Sequence, residues 1–350
     1  MIVLRSFRTC LLAVCAICLQ IPLSAPAQAD GDVNVYSYRE PQLIEPLLRA
    51  FEAESGITVN TIFASEGLVE RITAEGVNSP ADVLLTAEFG LLTQAREAGI
   101  SAPISSAAIA ASVPAEARDA EGYWVGLTRR ARVLFVSRER VTQPAFTYEE
   151  LADPKWKGKL CSRSGQHTYN IALIASMIAH LGETGAEVWL RGVKNNLARK
   201  PSGTDRDQIK SVFAGECDIA IGNTYYMGQM LTNDRQPEQK EWAGAVRMVF
   251  PNGADRGTHV NISGAALMKN APDHDNAVKL IEYLTSEKAQ KLYASLNHEY
   301  PVRAGVEPSE LVKSWGVLKP DALPLQEVAK LRRAASELVD KVGFDEGPGS

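Results

Sequence analysis

Hydrophobic and polar positions alternate between two periods along the chain. Short apolar runs typical of buried strands are followed by segments whose apolar residues recur at the helical spacing i, i+3, i+4. In the first part the pattern predicts strands at 33–36, 57–63 and 81–85 and helices at 43–51, 68–72 and 91–98. Gly56 and Gly99 end the first and third of these helices. The alternation predicts a mainly parallel sheet with helices on both faces.

A second unit with the same alternation begins near residue 133. It is predicted to contain strands at 133–136, 159–161, 218–221 and 248–250 and helices at 148–151, 171–181 and 207–213. The apolar segment 257–267 has no partner nearby in sequence, so we expect it to return the chain to the first unit. The tail is predicted to be helical at 277–296 and 325–342. These features predict two α/β lobes joined by extended strands and hinged around a cleft.

The first residues have the features of an export signal. Arg5 and Arg8 precede the apolar stretch 11–23, and the small residues Ala27 and Ala29 follow it. This order is typical of a secretory signal peptide, and we predict cleavage after Ala29. The alternative is a retained membrane anchor. No segment after the signal is predicted to insert in a membrane.

The charge balance is acidic, with 37 Lys and Arg against 42 Asp and Glu and a net charge of −5. Removal of the signal takes away two of the basic residues. An acidic chain without a basic stretch is a poor partner for nucleic acids, so that class of function is excluded.

Cysteine use fits an oxidising compartment. Cys10, Cys15 and Cys18 lie within the signal, which leaves Cys161 and Cys217. Both lie at the edges of predicted strands, and neighbouring strands would bring them within bridging distance. We predict a disulfide between them. Two buried free thiols are the alternative, and titration of free thiols distinguishes the two.

Three tyrosines carry the candidate chemistry. Tyr169 lies in a polar segment before a predicted helix, and Tyr225 and Tyr226 follow the strand 218–221. Phenolate is a hard oxygen donor that suits a hard cation such as Fe3+. If Thr224 is an N-cap, the pair lies on a first helical turn, about 100° apart, and both oxygens can reach one ion. The alternative is that the pair fills a core.

Charge supports the iron hypothesis. Three phenolates would neutralise Fe3+, and because a free phenol has a pKa of about 10, binding should release protons and weaken in acid. Glu40 would add a fourth anionic oxygen, and Arg39 either balances it or holds a small anion such as carbonate. Arg129, Arg130 and Arg132 lie near the expected crossing between the lobes, where one could hold the same anion; the alternative role for at least one of them is on a solvated surface strand.

The chain resembles the periplasmic ferric-ion-binding proteins of bacterial ABC importers, also called bacterial transferrins, over nearly its whole mature length. The resemblance is carried by the segments 35–41, 79–86, 151–159 and 223–226. The segment 151–159, Leu-Ala-Asp-Pro-Lys-Trp-Lys-Gly-Lys, is shared among many solute-binding proteins and indicates the fold. The Thr-Tyr-Tyr sequence of 224–226 indicates iron.

The resemblance implies a periplasmic-binding-protein-like fold of type II, with two α/β lobes joined by two crossing strands around a cleft. After the signal at 1–29, we expect an N-terminal lobe of 30–130 plus 257–302 and a C-terminal lobe of 131–256 plus 303–350.

The resemblance also implies site residues. Tyr169, Tyr225 and Tyr226 match the three tyrosine ligands, and Arg39 matches an arginine that holds an anion in some members. Glu40 lies where some members have histidine and others a glutamine that does not reach the metal, so a ligand from the first lobe stays open. The chain also departs from the family pattern at Gln229, where some members have an arginine beside the site.

The expected function is therefore that of a monomeric, non-enzymatic periplasmic carrier of Fe3+, with carbonate or another small anion as a partner of the metal. It would deliver iron to an inner-membrane ABC permease and its ATPase. One alternative is a carrier of the same architecture for another solute, such as a polyamine, thiamine, sulfate or a phosphonate. The other is an exported metalloenzyme with tyrosinate-bound iron.

Overall fold

Ten strands form the framework of the part of the protein that the structure describes. The computed structural model describes residues 31–349, so the predicted signal at 1–29 lies outside the described residues. The strands are β1 (Asp32–Ser37), β2 (Thr58–Phe63), β3 (Val83–Thr86), β4 (Ser101–Ala102), β5 (Val125–Ser137), β6 (Leu160–Cys161), β7 (Ile219–Asn223), β8 (Val246–Val249), β9 (Val260–Met268) and β10 (Tyr300–Pro301). Their order is β2-β1-β3-β9-β5-β7-β6, with β4 beside β9 and with β8 and β10 beside β5.

Thirteen helices cover the strands in the described part of the chain. They are α1 (Pro41–Ser55), α2 (Leu68–Glu75), α3 (Phe89–Glu97), α4 (Ala107–Ser112), α5 (Thr168–Asn195), α6 (Asp205–Phe213), α7 (Thr224–Leu231), α8 (Glu238–Gly244), α9 (His274–Leu284), α10 (Glu287–Leu296), α11 (Glu310–Lys313), α12 (Leu325–Lys330) and α13 (Arg332–Val342). Strands and helices alternate through most of the chain, which confirms the predicted α/β class.

The first lobe is built on β1, β2, β3 and β9. β1 pairs with β2 and β3 in parallel, and β9 runs antiparallel to β3. α1 covers this sheet through Ile44, Leu47, Leu48 and Phe51, all buried as their helical spacing predicts. Gly56 ends the helix in the left-handed conformation that glycine adopts without strain.

β5 connects the two lobes. Its first half, from Val125 to Ala131, pairs with β9 in the first lobe. Its second half, from Arg132 to Val136, pairs with β7 in the second lobe. The expectation that segment 257–267 returns to the first lobe is confirmed, because β9 lies between β3 and β5. The exact lobe boundaries stay a prediction.

The second lobe has α5 at its centre. This helix is longer than the predicted 171–181, because Gly182, although non-helical, only kinks it and the helix resumes. α5 is also long and apolar enough to qualify, by length and composition, as a candidate membrane span. Ile174, Met177 and Leu190 are among its many buried residues, and it packs against α13. We therefore interpret it as a core helix of this lobe.

Other predicted elements differ in length or type. The strand predicted at 133–136 is only the end of the 13-residue β5. The helix predicted at 148–151 is a short 3-10 turn, Glu149–Ala152. The tail segments 277–296 and 325–342 each divide into two helices, α9 with α10 and α12 with α13.

The predicted disulfide between Cys161 and Cys217 is confirmed. It ties β6 to the loop before β7, whose strands are parallel neighbours. The two cysteines are 56 positions apart, and closing a loop of this size stabilises the fold by about 4 kcal/mol in the chain-entropy picture.

Removal of this disulfide should therefore lower stability measurably. We expect the double variant Cys161→Ala/Cys217→Ala to lose about 2–4 kcal/mol in urea unfolding, because the unfolded chain regains the entropy of an open loop. The wild-type protein treated with a reductant should approach the same value, whereas the double variant should not respond to reductant. Equal unfolding free energies for the oxidised protein and the variant would contradict the prediction.

Candidate metal centre

A cavity of about 690 Å³ lies between the lobes. The first lobe lines it with Tyr38, Arg39, Glu40, Glu88 and Glu299, among others. The second lobe contributes mainly the start of α5, the start of α7 and neighbouring arginines; its lining residues are Arg163, Gln166, His167, Thr168, Tyr169, Thr204, Arg206, Tyr225 and Tyr226. All three candidate tyrosines thus face one space.

Tyr225 and Tyr226 are placed by the corner between β7 and α7. β7 is fully buried beside β5, and α7 begins directly after it at Thr224. The two phenols therefore lie on the first turn, with ring centroids 4.3 Å apart and ring planes tilted by 37°. The predicted N-cap role of Thr224 is wrong, because Asn223 occupies that position and the Thr224 hydroxyl accepts from the Ala131 N–H at 3.3 Å.

Tyr169 reaches the pair from the start of α5. The N-cap of α5 is His167, whose Nδ1 accepts from the Tyr169 N–H at 3.3 Å. The Tyr225 hydroxyl donates to the Tyr169 hydroxyl oxygen at 3.2 Å. All three phenols thus lie at helix N-termini, where the helix dipole favours negative charge. The core-filling alternative does not describe the pair, because its rings, although mostly buried, line the cavity.

Burial keeps these phenols protonated when no cation is bound. Burial, followed by the nearby Tyr169 and Tyr226, raises the pKa of Tyr225 well above its usual 10.0. Burial likewise raises the pKa of Tyr226, with Tyr169 as the next cause. A phenolate here therefore needs a cation close enough to displace its proton.

Four arginines surround the phenols, and the charges of Arg130 and Arg163 partly counteract the effect of burial on the phenol pKa values. The guanidinium carbons of Arg130, Arg132 and Arg163 lie 5.7, 5.9 and 5.5 Å from the Tyr169 ring centroid. Arg206 lies 4.9 Å from the ring centroid of Tyr226. Arg130 is 1% exposed, and none of its three guanidinium nitrogens has a hydrogen-bond partner. Such unneutralised positive charge favours anionic oxygen nearby.

A buried network of ion pairs and hydrogen bonds lies next to the tyrosines. Arg132 donates to Asp205 at 2.5 Å and to Asn170 at 2.7 Å, while Arg163 lies 3.3 Å from the other Asp205 oxygen. Asp205 also accepts from the Asn223 N–H at 2.9 Å. Although burial alone would raise it, the pKa of Asp205 is lowered by Arg132 and Arg163. The network fixes the starts of α5 and α7 relative to each other.

Arg39 is buried and paired within the first lobe. Its Nη2 donates to Glu299 at 2.8 Å, and the same carboxylate oxygen accepts from the Thr128 hydroxyl at 2.9 Å. Nε and Nη1 of Arg39 have no hydrogen-bond partner. The expected partner Glu40 does not pair with Arg39; it is exposed on the cavity wall and accepts from the Gln42 amide.

His167, next to the site, is half-buried in the cavity wall. Burial and then the charge of Arg163 lower its pKa to about 3. It therefore stays neutral near pH 7, where its Nδ1 serves as the helix cap.

Sequence reasoning missed several residues of this site. Arg163, Arg206, Asp205 and Glu299 belong to no motif, and only the fold brings them to the cavity. Gln229, which lies where some family members have arginine, accepts a hydrogen bond from Arg206. The Gln229 amide oxygen thus holds the Arg206 guanidinium that lies over the Tyr226 ring. Within residues 31–349 no group of three or more His, Cys, Asp or Glu is placed to hold a metal ion.

Comparison with known proteins places the chain among binding proteins. Residues 78–314 match the family described as bacterial extracellular solute-binding protein. "Iron uptake protein A1" of Synechocystis sp. is 41% identical over 336 residues, 95% of this chain and 93% of the relative.

Two solved structures show the same similarity. One is the apo ferric ion-binding protein A of Pasteurella haemolytica, with a TM-score of 0.86 and 51% identity over 90% of this chain and 98% of that one. The other is the Trichodesmium protein IdiA in complex with iron and citrate, with a TM-score of 0.85 and 44% identity over 90% of this chain and all of that one. These similarities confirm the predicted periplasmic-binding-protein-like fold.

Proposed function

The chain belongs to the bacterial extracellular solute-binding protein family, and we propose that it binds Fe3+ through the phenolates of Tyr169, Tyr225 and Tyr226. The observation that carries this proposal is the convergence of three phenols in one cavity between the lobes. The hydroxyl oxygens of Tyr225 and Tyr169 are 3.2 Å apart, and the Tyr226 ring packs beside the Tyr225 ring.

The chemistry of the site favours a hard, highly charged cation. Three phenolates carry a charge of about −3 and match the charge and hardness of Fe3+. Helix N-termini and the surrounding arginines favour the anionic form of these oxygens and so assist a bound cation in displacing their protons. The names of the relatives are consistent with this assignment, since they describe iron uptake and ferric iron binding.

A small anion would complete the coordination of the metal. Arg39 has two buried guanidinium nitrogens without partners, and such donors suit the oxygens of carbonate or a similar anion. Glu40 lies on the first-lobe wall of the same cavity and would supply a fourth anionic oxygen once the lobes close.

The transport role follows from the architecture. Iron would be captured on the tyrosines of the second lobe, and the first lobe would close over it because the closed form binds the ion more tightly. The protein would be a monomer of the periplasm that delivers Fe3+ to an inner-membrane ABC permease and its ATPase. It would have no catalytic activity, since a metal whose coordination positions are filled by protein ligands and an anion leaves no position for a substrate.

Colour provides the test of this function. Titration of the purified mature protein with ferric citrate and bicarbonate should produce a visible phenolate-to-iron charge-transfer band that saturates at one iron per protein. The same titration with a phosphonate or a polyamine should leave the protein colourless and its melting temperature unchanged. A protein that stays colourless with iron, but is stabilised by one of those solutes, would contradict the proposal and favour the other carrier class.

A further inference from the structure

We infer that His298 of the first lobe and Gly228 of α7 form a contact between the lobes that positions the tyrosine helix. This inference rests on the proposed function, because it concerns how Tyr225 and Tyr226 are held for the metal. His298 is a positioning residue in this scheme and not a ligand.

The conformation of His298 is unusual. In the described part of the chain only Asn252 and His298 are non-glycine residues with positive φ, and His298 has φ of 56°. Its side chain is buried, its Nδ1 has no hydrogen-bond partner, and its Nε2 lies 3.3 Å from the Thr232 hydroxyl. A strained backbone with a buried, half-satisfied ring persists only where the surroundings hold it, and such residues cluster at functional sites.

Gly228 is the reason that the ring fits against α7. A Cβ at this position would lie 2.3 Å from Cγ, 2.5 Å from Cβ and 2.6 Å from Cδ2 of His298. These atoms are close to the His298 backbone and cannot swing away as the end of a long side chain can. The close approach of helix and imidazole therefore requires glycine at 228.

The segment around His298 is anchored to the first lobe on both sides. The Asn297 side chain donates to the Leu43 carbonyl of α1 at 2.8 Å. The Glu299 carboxylate accepts from Arg39 and Thr128, and β10 follows directly and pairs with β5. The first lobe therefore fixes the position of His298, and the imidazole ring forms a rigid contact for the second lobe.

The contact lies on the face of α7 that carries a proposed ligand. Gly228 is three residues after Tyr225, so the two share one helix face and lie one above the other. A shift or rotation of α7 away from His298 would move the phenols relative to Tyr169 and to the Arg39–Glu299 pair. Metal sites need their ligands held within about 0.5 Å of the binding geometry, so the contact between His298 and Gly228 should control how tightly the ion is retained.

The experiment compares Gly228→Ala, His298→Gly and the control Gly244→Ala. Gly244 ends α8, and a Cβ there would meet nothing within 4 Å. We expect both test variants to release iron to excess chelator about tenfold faster than wild type, with a shifted charge-transfer band, and the control to behave as wild type. Glycine accepts the positive φ of position 298, so His298→Gly should fold, and it decides alone if Gly228→Ala does not fold.

Two outcomes would overturn the inference. One is an unchanged release rate and band in the folded variants. The other is a lower melting temperature of the iron-free variants without any change in iron release, which is what a purely structural contact would give. Failure of the proposed function itself is distinct, since wild type would then show no charge-transfer band.

Discussion

Tyr225→Phe is expected to weaken Fe3+ binding at least about 100-fold, and Tyr169→Phe and Tyr226→Phe should have effects of similar size. Phenylalanine keeps the ring and its packing but removes the one atom that can coordinate the metal. Loss of an outer-shell partner already costs metal sites about 10–100-fold in affinity, so loss of a ligand should cost at least as much. The measurement is competition with a chelator, read from the visible band.

The size of this effect has a second cause. Removal of one phenolate leaves the buried cation with an unbalanced positive charge in a wall that already contains Arg130, Arg163 and Arg206. Unpaired charge is costly at a site with little solvent. In the iron-free protein the Tyr225 hydroxyl also holds Tyr169 through a hydrogen bond, so its removal loosens the site before the ion arrives.

Tyr300→Phe provides the matched control. Tyr300 is partly buried, its buried hydroxyl has no hydrogen-bond partner, and it does not line the cavity. Its replacement should leave the iron affinity and the band unchanged. Wild-type affinity and an unaltered band in Tyr225→Phe would remove this residue from the proposed coordination sphere.

The sequence predicted the order of strands and helices because the buried faces of most elements are apolar. α1 shows this well, since Ile44, Leu47, Leu48 and Phe51 follow the helical period and are all buried. β5 shows the limit. Its half before residue 133 contains Thr128, Arg129 and Arg130, which resemble a polar loop in sequence although Thr128 and Arg130 are buried. Charge buried at a crossing between lobes cannot be recognised from hydrophobic periodicity.

Glycine limited the prediction of helices in a different way. Gly56 and Gly182 both have positive φ, yet α1 ends at Gly56 whereas α5 continues beyond Gly182. A glycine signal permits a helix to stop but does not require it. Packing of the second half of α5 in the core, through Trp189, Leu190 and Val193, determines that the helix resumes.

The position of the candidate tyrosines could be predicted from the sequence, but the residues that surround them could not. Tyr225 and Tyr226 are adjacent in sequence after a strand, so their place at a sheet edge follows from local structure. The partner of Arg39 could not be foreseen, because Glu299 is 260 positions away and is brought near only by the first-lobe fold. The same holds for Asp205, which lies between Arg132 and Arg163 at the second-lobe wall.

Iron binding should also depend strongly on pH, and the sign follows from the phenols. Because burial raises the pKa of Tyr225 and Tyr226 above 10.0, both are protonated in the iron-free protein at any pH below that value. Binding of Fe3+ must displace these protons. The iron-bound state is therefore favoured as pH rises and is lost as pH falls.

The expected magnitude is large, since each displaced proton contributes a factor of ten per pH unit. Release of about three protons per iron would lower the apparent affinity by up to about 1000-fold for each unit of acidification. A pH-stat titration with a ferric chelate of known protonation counts the protons directly. Tyr225→Phe should release about one proton fewer than wild type, whereas the control Tyr300→Phe should release the same number. A band that forms without net proton release, and that keeps its intensity from about pH 8 to about pH 5, would show that neutral phenols or other groups hold the ion.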